Sequence, residues 1–290
     1  MKKIIQIVSF ISILMSIFIY IIASSMPDGL LHIYTLDIGQ GDSFLIQTPE
    51  GKHILIDAGA DATKIIEELQ ENMPWYKKSL DIAIISHPDK DHYFGFWEVM
   101  KKYPPQTLCI GSIIRDGEYK EFIESAKKKS KIIFLSHDKD FMIEKDMLLE
   151  TLLPLLKKTN QYYDNINDGS IIQKLKYKNI SMLFTGDLEV DGIQLLTQIY
   201  QEYLKSDILK VSHHGAKNGT NQKLLKAVQP KYAIISAGVN NRYNHPHPNT
   251  IDFLEKNNIQ YFDTIQFKNI EIISDGNFIE IKYLPIQKEI

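Results

Sequence analysis

Six consecutive positions, His87-Pro88-Asp89-Lys90-Asp91-His92, hold two imidazoles and two carboxylates. Four such groups in six residues have no use in an apolar core, and the carboxylates repel unless a cation lies between them. The chemistry they suit is coordination of a small divalent ion. A pair of neighbouring ions needs roughly seven or eight protein donors, one of them a bridging carboxylate. The loop gives four. Asp187, in LFTGD, gives a fifth at another strand end, well placed to bridge. His213 or His214, in SHHG, gives a sixth, and Asn167 or Asp168, in NDGS, a seventh. Any of these outlying residues alone is more often architecture than a ligand. The loop gives them weight. Asp57, in LIDAG, is the reverse case: a carboxylate that orients a ligand from behind. The single cysteine, Cys109, leaves no intrachain disulfide or cysteine cage, and no disulfide-linked partner is expected.

These donors need strands that end at one place. LLHIYTLDIG and DSFLIQT alternate apolar and polar residues as half-buried strands do. KHILIDAG reads as a buried strand that ends at Asp57, and DIAIISH as the strand that delivers His87. Between them, DATKIIEELQENM puts Ile65, Ile66, Leu69 and Met73 on one helical face, with Asp61 as N-cap. His92 to Tyr103 reads as a helix. The order then repeats. ISMLFTGD ends at Asp187, a helix runs from about Glu189 to Lys205, and DILKVSHHG delivers His213 and His214. Asp81-Ile82 precede Ser86-His87 as Asp207-Ile208 precede Ser212-His213, which suggests a duplication with a period near 126. Two such halves packed sheet to sheet, with helices outside, give an α/β fold of the αββα sandwich type. Residues 104–166 read as strands and helices on the rim.

The N-terminus has a different character. Lys2 and Lys3 precede Ile4 to Ile22, nineteen residues without a charge. As a helix this spans roughly 28 Å, close to the hydrocarbon thickness of a bilayer. The basic residues before it predict a single-pass membrane segment through residues 4–22 with the chain beyond it extracytoplasmic. The competing expectation is a signal peptide cleaved near Ala23-Ser24-Ser25, which would leave a secreted domain. Residues 1–25 are thus expected to be the anchor, and 26–290 one domain. Beyond residue 25, 31 basic and 36 acidic side chains give a net charge of −5, which is not the balance of a general nucleic-acid binder. Lysines 127, 128, 129 and 131, 157 and 158, and 205, 210 and 217 could form local patches. The first group reads as a solvated helix face.

The phrases LDIGQGDSFLIQT, GKHILIDAG, DIAIISHPDKDH, NDGSII, MLFTGD, DILKVSHHG and PKYAIISAGVNNRYNHPHP occur in this order. The set resembles the metallo-β-lactamase fold superfamily, whose loop is His-x-His-x-Asp-His. Its nearest likeness is the ComEC-type competence, or DNA-internalisation, domain of that superfamily. The resemblance covers roughly residues 30–285. Here the loop is His87-x-Asp89-x-Asp91-His92, and the large multi-span channel region is absent.

The resemblance implies a membrane-anchored, outward-facing metal-dependent hydrolase: a two-metal phosphodiesterase or nuclease acting on DNA or another phosphodiester. Asp89 replaces an imidazole, which hardens the site and favours Mn²⁺ or Mg²⁺ more than an all-histidine set would; Mn or Zn is the expected occupant. One ion would be held by His87, Asp89 and Asn167 or Asp168. The second would be held by Asp91, His92 and one of His213 and His214, with Asp187 bridging. The duplicated register favours His213, leaving His214 for substrate. Asp91, Asp187 and His245 carry the catalytic expectation, with His245 as general acid or phosphate contact. The competing expectation for the NHPHP loop is a rigid turn capping a helix from about Thr250. Asp42, Ser170, Arg242 and His247 are expected to support the site or meet substrate. Two alternatives stand beside this: a hydrolase of a small phosphodiester, phosphocholine ester or lactone, and a non-catalytic surface module stabilised by metal.

Overall fold

A computed structural model describes residues 2–155 and 165–283. Lys157 and Lys158 lie outside the described residues. The first half runs through α1 (Lys2–Ser24), β1 (Leu31–Thr35), β2 (Phe44–Gln47), β3 (His53–Ile56), α2 (Ala62–Asn72), β4 (Ile82–Ile85), α3 (Lys90–Tyr93), α4 (Phe96–Lys102), β5 (Thr107–Ile110), α5 (Glu118–Ala126) and β6 (Lys131–Phe134). The second runs through β7 (Phe141–Glu144), β8 (Met147–Leu153), β9 (Ile172–Tyr177), β10 (Ile180–Phe184), α6 (Val190–Tyr200), β11 (Ile208–Lys210), α7 (Gln222–Val228), β12 (Tyr232–Ile235), α8 (Pro248–Lys256), β13 (Gln260–Asp263), α9 (Thr264–Phe267), β14 (Ile270–Ser274) and β15 (Glu280–Tyr283). An eight-stranded sheet has the order β15-β14-β1-β2-β3-β4-β5-β6, and a seven-stranded sheet the order β13-β12-β11-β10-β9-β8-β7.

Both faces of each sheet are buried, and successive residues serve different cores. Ile54 and Ile56 of β3 join Phe44, Ile46, Leu175, Met182 and Phe184 between the sheets. Leu55, between them in sequence, faces outward to Ile65 and Leu69 of α2 and Phe96 and Val99 of α4. On the other side, Leu183 and Leu209 meet Ile193 and Leu196 of α6, Leu224 of α7 and Leu254 of α8. Four layers with three apolar interiors result, as the duplicated pattern predicts. The two halves also match in detail. Asp81 accepts the His53 N–H at 2.8 Å, and Asp207 accepts the Ser181 N–H at 3.0 Å, each tying a parallel strand to its neighbour.

Three elements differ from expectation. The helix expected from His92 to Tyr103 is two helices, because the Gly95 N–H leaves the helical ladder and donates to Gly59 O at 2.9 Å. A Cβ at Gly95 would lie 2.0 Å from Ala58 O, so only glycine allows that approach. The helix expected to reach Lys205 ends at Tyr200 and tightens into a 3₁₀ turn, Gln201–Leu204. Finally β5, in the segment assigned to the rim, lies inside the first sheet with Leu108, Cys109 and Ile110 wholly buried.

Helix α1 is long and apolar enough to cross a membrane, and none of Lys3–Tyr20 is buried against the domain. At its end Tyr76 donates to Ser25 O at 3.0 Å, beside the exposed Trp75.

Candidate metal centre

The loop 87–92 leaves β4 at the same edge where β3, β10 and β11 end. Asp89 precedes α3 and turns His92 inward, so that both histidines of the loop are buried. Gly41 clamps this loop from the β1–β2 side. Its φ is +125°, and a Cβ there would lie 2.1 Å from Asp91 O, the carbonyl that accepts the Asp42 N–H at 3.2 Å.

Three imidazoles are tethered in one sense. His92 Nδ1 lies 2.8 Å from Asp57 Oδ2 and donates to that carboxylate. His214 Nδ1 donates to Ser236 O at 3.0 Å. His87 Nδ1 lies 3.0 Å from Ser86 Oγ, whose own proton goes to Asp57 Oδ2 at 2.6 Å, so the hydroxyl accepts from the ring. With Nδ1 the donor in each, the remaining lone pair is on Nε2. The Nε2 atoms of His87, His92 and His214 are all buried and have no hydrogen-bond partner. All three face one carboxylate: Asp187 Oδ2 lies 3.9, 3.2 and 3.3 Å from them respectively. On the flanks, Asp89 Oδ2 lies 3.8 Å from His87 Nε2, and Asp91 Oδ2 lies 3.4 Å from His214 Nε2. Donors about 2.1 Å from a tetrahedral ion lie about 3.4 Å apart. The spacing and the orphaned nitrogens fit a divalent cation. His87, His92 and Asp187 form one such group, and Asp91, His92 and His214 another.

A cation is already built in beneath this cluster. Lys210 is fully buried, pairs with Asp42 Oδ2, donates to Gly186 O at 2.6 Å and lies 3.5 Å from Asp187 Oδ1. It is no part of a surface patch, as its neighbours in sequence had suggested. Asp42 also reaches His214 Nδ1 at 3.2 Å. Ser170 Oγ accepts the Asp187 N–H at 3.2 Å.

Some expected donors are employed elsewhere. Asp168 Oδ1 accepts the N–H groups of Glu189 and Gly192 at 2.9 and 3.0 Å, so this carboxylate holds the start of α6. Asn167 Nδ2 donates to Glu189 Oε1 at 2.8 Å, so a ligand role there would fall to its Oδ1. Strand register favours His213, and the structure brings both rings near Asp187, His214 Nε2 buried at 3.3 Å and His213 Nε2 partly exposed at 3.7 Å. Residues 213 and 214 both have positive φ, +51° and +54°, which breaks the match to the first half. That turn sends His213 Nδ1 to within 3.1 Å of Glu189 Oε1, while its Nε2 stays 3.7 Å from Asp187. His214→Gln is therefore expected to weaken metal binding about tenfold or more, a cost even supporting residues carry. His213→Gln should leave metal content intact. Metal analysis after dialysis decides this, and the opposite ranking would reinstate His213.

His245 stands at the open side, its ring 5.5 Å from His213 and 6.2 Å from His214. Burial, with His214 and His213 beside it, pulls its pKa down to about 4. It is then neutral near pH 7 and carries one N–H at the open side of the cluster. His247 Nδ1 accepts the Asn249 N–H at 3.2 Å and caps α8, the turn role. Arg242 lies outside the cluster, stacked on Tyr243. Nothing in the residues around Arg115 singles it out, yet it donates to Asp89 Oδ1 at 3.1 Å. Lys210 did carry a signal, a lysine inside the apolar run ILKV.

Burial penalises charge on His92 and His214, yet Asp187 with Asp57, and Asp187 with Asp42, hold their pKa values well above the usual imidazole range. Asp187 is held well below the carboxylate range: burial opposes this, and His214 and His92 outweigh it. For the metal-free chain the sign is direct. Groups raised above about 6.5 contribute stability that is full below that pH and is lost as pH rises through the folded value. The depressed Asp187 loses its contribution only as pH falls into the acid range. His87, pulled down to about 3 chiefly by burial, and His245 are neutral in both states above about pH 7. The chelated chain should thus melt at lower temperature as pH rises from about 7 to 8.5. The gain in melting temperature on adding Mn²⁺ or Zn²⁺ should grow over the same interval, as fewer protons compete. A chelated melting temperature that rises with pH there would contradict this charge assignment.

Four layers with buried histidines and carboxylates at one sheet edge define a metal-binding α/β sandwich. The profile of the metallo-beta-lactamase superfamily matches residues 36–239, and the chain belongs to that superfamily. Among curated proteins it is 28% identical over 277 residues to ComE operon protein 3 of Bacillus subtilis, covering 90% of this chain and 34% of that one. It is 30% identical over 230 residues to competence protein ComA of Neisseria gonorrhoeae, covering 77% of this chain and 29% of that one. The chain thus spans about a third of these relatives' length. Among solved structures it resembles the metallo-beta-lactamase fold protein YhfI of Bacillus subtilis, with TM-score 0.54 at 14% identity over 84% of this chain and 99% of that one. It also resembles CmlA, a diiron β-hydroxylase of Streptomyces venezuelae, with TM-score 0.52 at 11% identity over 83% of this chain and 53% of that one. At these identities the structural likeness concerns the fold.

Proposed function

We propose that the chain is a membrane-anchored, outward-facing phosphodiesterase that uses two divalent ions to cleave DNA. The observation that carries the hydrolytic reading is the convergence of three orphaned Nε2 atoms on Asp187, with Asp89 and Asp91 on either side. Support for DNA comes from relatives whose names are those of competence proteins. Support for the anchor comes from α1, apolar and unburied. Residues 1–25 are the anchor in this reading and 26–290 the hydrolase. Cleavage after residue 25 would make the domain secreted.

His87 and Asp89 hold one side of the site, Asp91, His92 and His214 the other, and Asp187 lies between. When bound there, divalent ions supply an activated water and neutralise charge on the phosphoryl oxygens. The chain's own part is orientation. Asp57 and Ser86 fix His87 and His92, Ser236 O fixes His214, and Lys210 with Asp42 balances Asp187 from below. His245, at the open side, donates an N–H to the phosphoryl group or leaving oxygen. The mixed set of three imidazoles and three carboxylates suits Mn²⁺ or Zn²⁺, with Mg²⁺ also accommodated.

The net charge of −5 beyond residue 25 favours a second reading, a small phosphodiester, phosphocholine ester or lactone as substrate. Turnover of labelled single-stranded DNA against bis-p-nitrophenyl phosphate, p-nitrophenyl phosphocholine and a homoserine lactone separates the two. DNA should exceed each in kcat/KM by about tenfold or more, through contacts remote from the scissile bond. Preference for a small ester or lactone would give the second reading. Inactivity on all of them with ions bound would leave a metal-stabilised surface module.

A further inference from the structure

The first sheet has two ends, and the anchor and the metal centre sit at different ones. Register sets His32 opposite Gln47 and Gln47 opposite His53 at one end, and Thr35 opposite Phe44 and Phe44 opposite Ile56 at the other. Asp57 and the metal loop follow the second row, where β3 and β4 run out. The chain leaving α1 reaches the first row and enters β1 at Leu31. His53 to Asp57 is four residue steps of extended chain, about 13 Å. The anchor therefore joins the sheet at the edge opposite the metal centre.

One loop shares the anchor's edge. Residues 73–79, Met-Pro-Trp-Tyr-Lys-Lys-Ser, lie between α2 and β4. Tyr76 donates to Ser25 O at 3.0 Å, which ties the loop to the first residue beyond α1. Trp75 is 57% exposed, Tyr76 40% and Met26 62%, and the three open around one cleft of about 390 Å³. The two rings meet edge to face, 5.9 Å apart. Lys78, exposed beside them, donates to Trp75 O at 2.9 Å. Apolar surface gathered in this way marks a contact surface. Tryptophan, tyrosine and an outreaching lysine settle at the headgroup layer of a bilayer, where apolar body and polar tip are both satisfied. Two carboxylates, Asp28 and Glu71, line the same cleft and match the ammonium of a zwitterionic headgroup. The depth agrees. The uncharged run ends at Ile22, and Ser25 lies three residues further, about 4.5 Å at the helical rise. With residues 4–22 in hydrocarbon, Ser25 and its partner Tyr76 are at headgroup depth.

We propose that the loop at residues 74–78 is a second membrane contact, which seats the domain on a zwitterionic phospholipid headgroup layer beside α1 and turns the metal centre away from the bilayer. The inference rests on the anchored reading of α1. Its consequence is a choice of substrate: the site opens to the surrounding medium, and a phosphodiester held in the same bilayer stays out of reach. The full chain is reconstituted into phosphatidylcholine vesicles brominated on the acyl chains near the headgroup. Trp75 and Trp97 are its two tryptophans, and Trp97 packs on Phe122 within the domain. Brominated lipid should quench wild-type emission relative to plain vesicles, and Trp75→Phe should abolish that quenching. Tyr243→Trp in the Trp75→Phe background puts a reporter at the open side of the metal centre. Aqueous iodide should quench this reporter, and brominated lipid should not. Flotation with the vesicles in a density gradient reads the anchor separately.

A chain that floats while Trp75 is quenched by iodide and not by brominated lipid would overturn the docking and leave the anchor standing. Trp75 shielded from both quenchers would give the loop to a protein contact and overturn the membrane contact. Quenching of the Tyr243→Trp reporter by brominated lipid would overturn the orientation. A chain that does not float would defeat the anchor and the docking with it.

Discussion

Asp187→Asn is expected to lower metal affinity about 100-fold or more and to bring hydrolysis to background. Asp187 Oδ2 lies within 4 Å of the Nε2 atoms of His87, His92 and His214 alike, so it is placed to serve an ion on either flank of the site. Asparagine keeps the size and the N–H from the backbone to Ser170, so the chain should still fold. The metal-free form should lose stability as well, since His92 and His214 owe their raised pKa values first to Asp187 once burial is set aside. Metal content by mass spectrometry and the melting curve of the chelated variant read the two effects separately. Wild-type metal content in the variant would remove Asp187 from the centre.

Lys210→Met is expected to destabilise the chain by about 3–5 kcal/mol, the cost of breaking a buried ion pair from one side. The lysine is fully buried and meets Asp42, Asp187 and Gly186 O. Methionine matches its volume and leaves two buried carboxylates without their cation. Adding Asp42→Asn to the variant should restore part of the loss, because one uncompensated charge is then gone. Denaturant unfolding of the two variants measures this. A single variant as stable as wild type would mean that Lys210 is neutral or hydrated in the folded chain.

Much of this molecule was legible from side-chain spacing. The duplicated Asp-Ile…Ser-His pattern is present in space as two parallel strand pairs tied by Asp81 and Asp207. Asp61 caps α2 by accepting from Thr63 and Lys64, as its position before an amphipathic run implies. The metal loop could be read because four charged or imidazole groups in six residues have no bland use. What escaped depends on backbone turns and on contacts from distant parts of the chain. Two successive left-handed residues at 213 and 214 put the buried ring of His214 closer to Asp187 than that of His213, which strand register alone does not contain. Asp168 Oδ1 serves a helix start some twenty residues away, an employment its own sequence context does not show. The break at Gly95 comes from a carbonyl of the 57–59 turn, which local helical periodicity does not contain. Arg115 is unremarkable in sequence and gains its meaning only from Asp89, the loop residue it meets.

In the proposed function this histidine and aspartate cluster holds the ions that cleave a phosphodiester strand. The full chain, stripped with chelator and reloaded separately with Mn²⁺, Mg²⁺ and Zn²⁺, should cleave end-labelled single-stranded DNA. Cleavage should be absent before reloading, should return with Mn²⁺ or Zn²⁺, and should vanish in Asp91→Ala under the same reloading. Cleavage that survives chelation, or that Asp91→Ala retains at the wild-type rate, would contradict it.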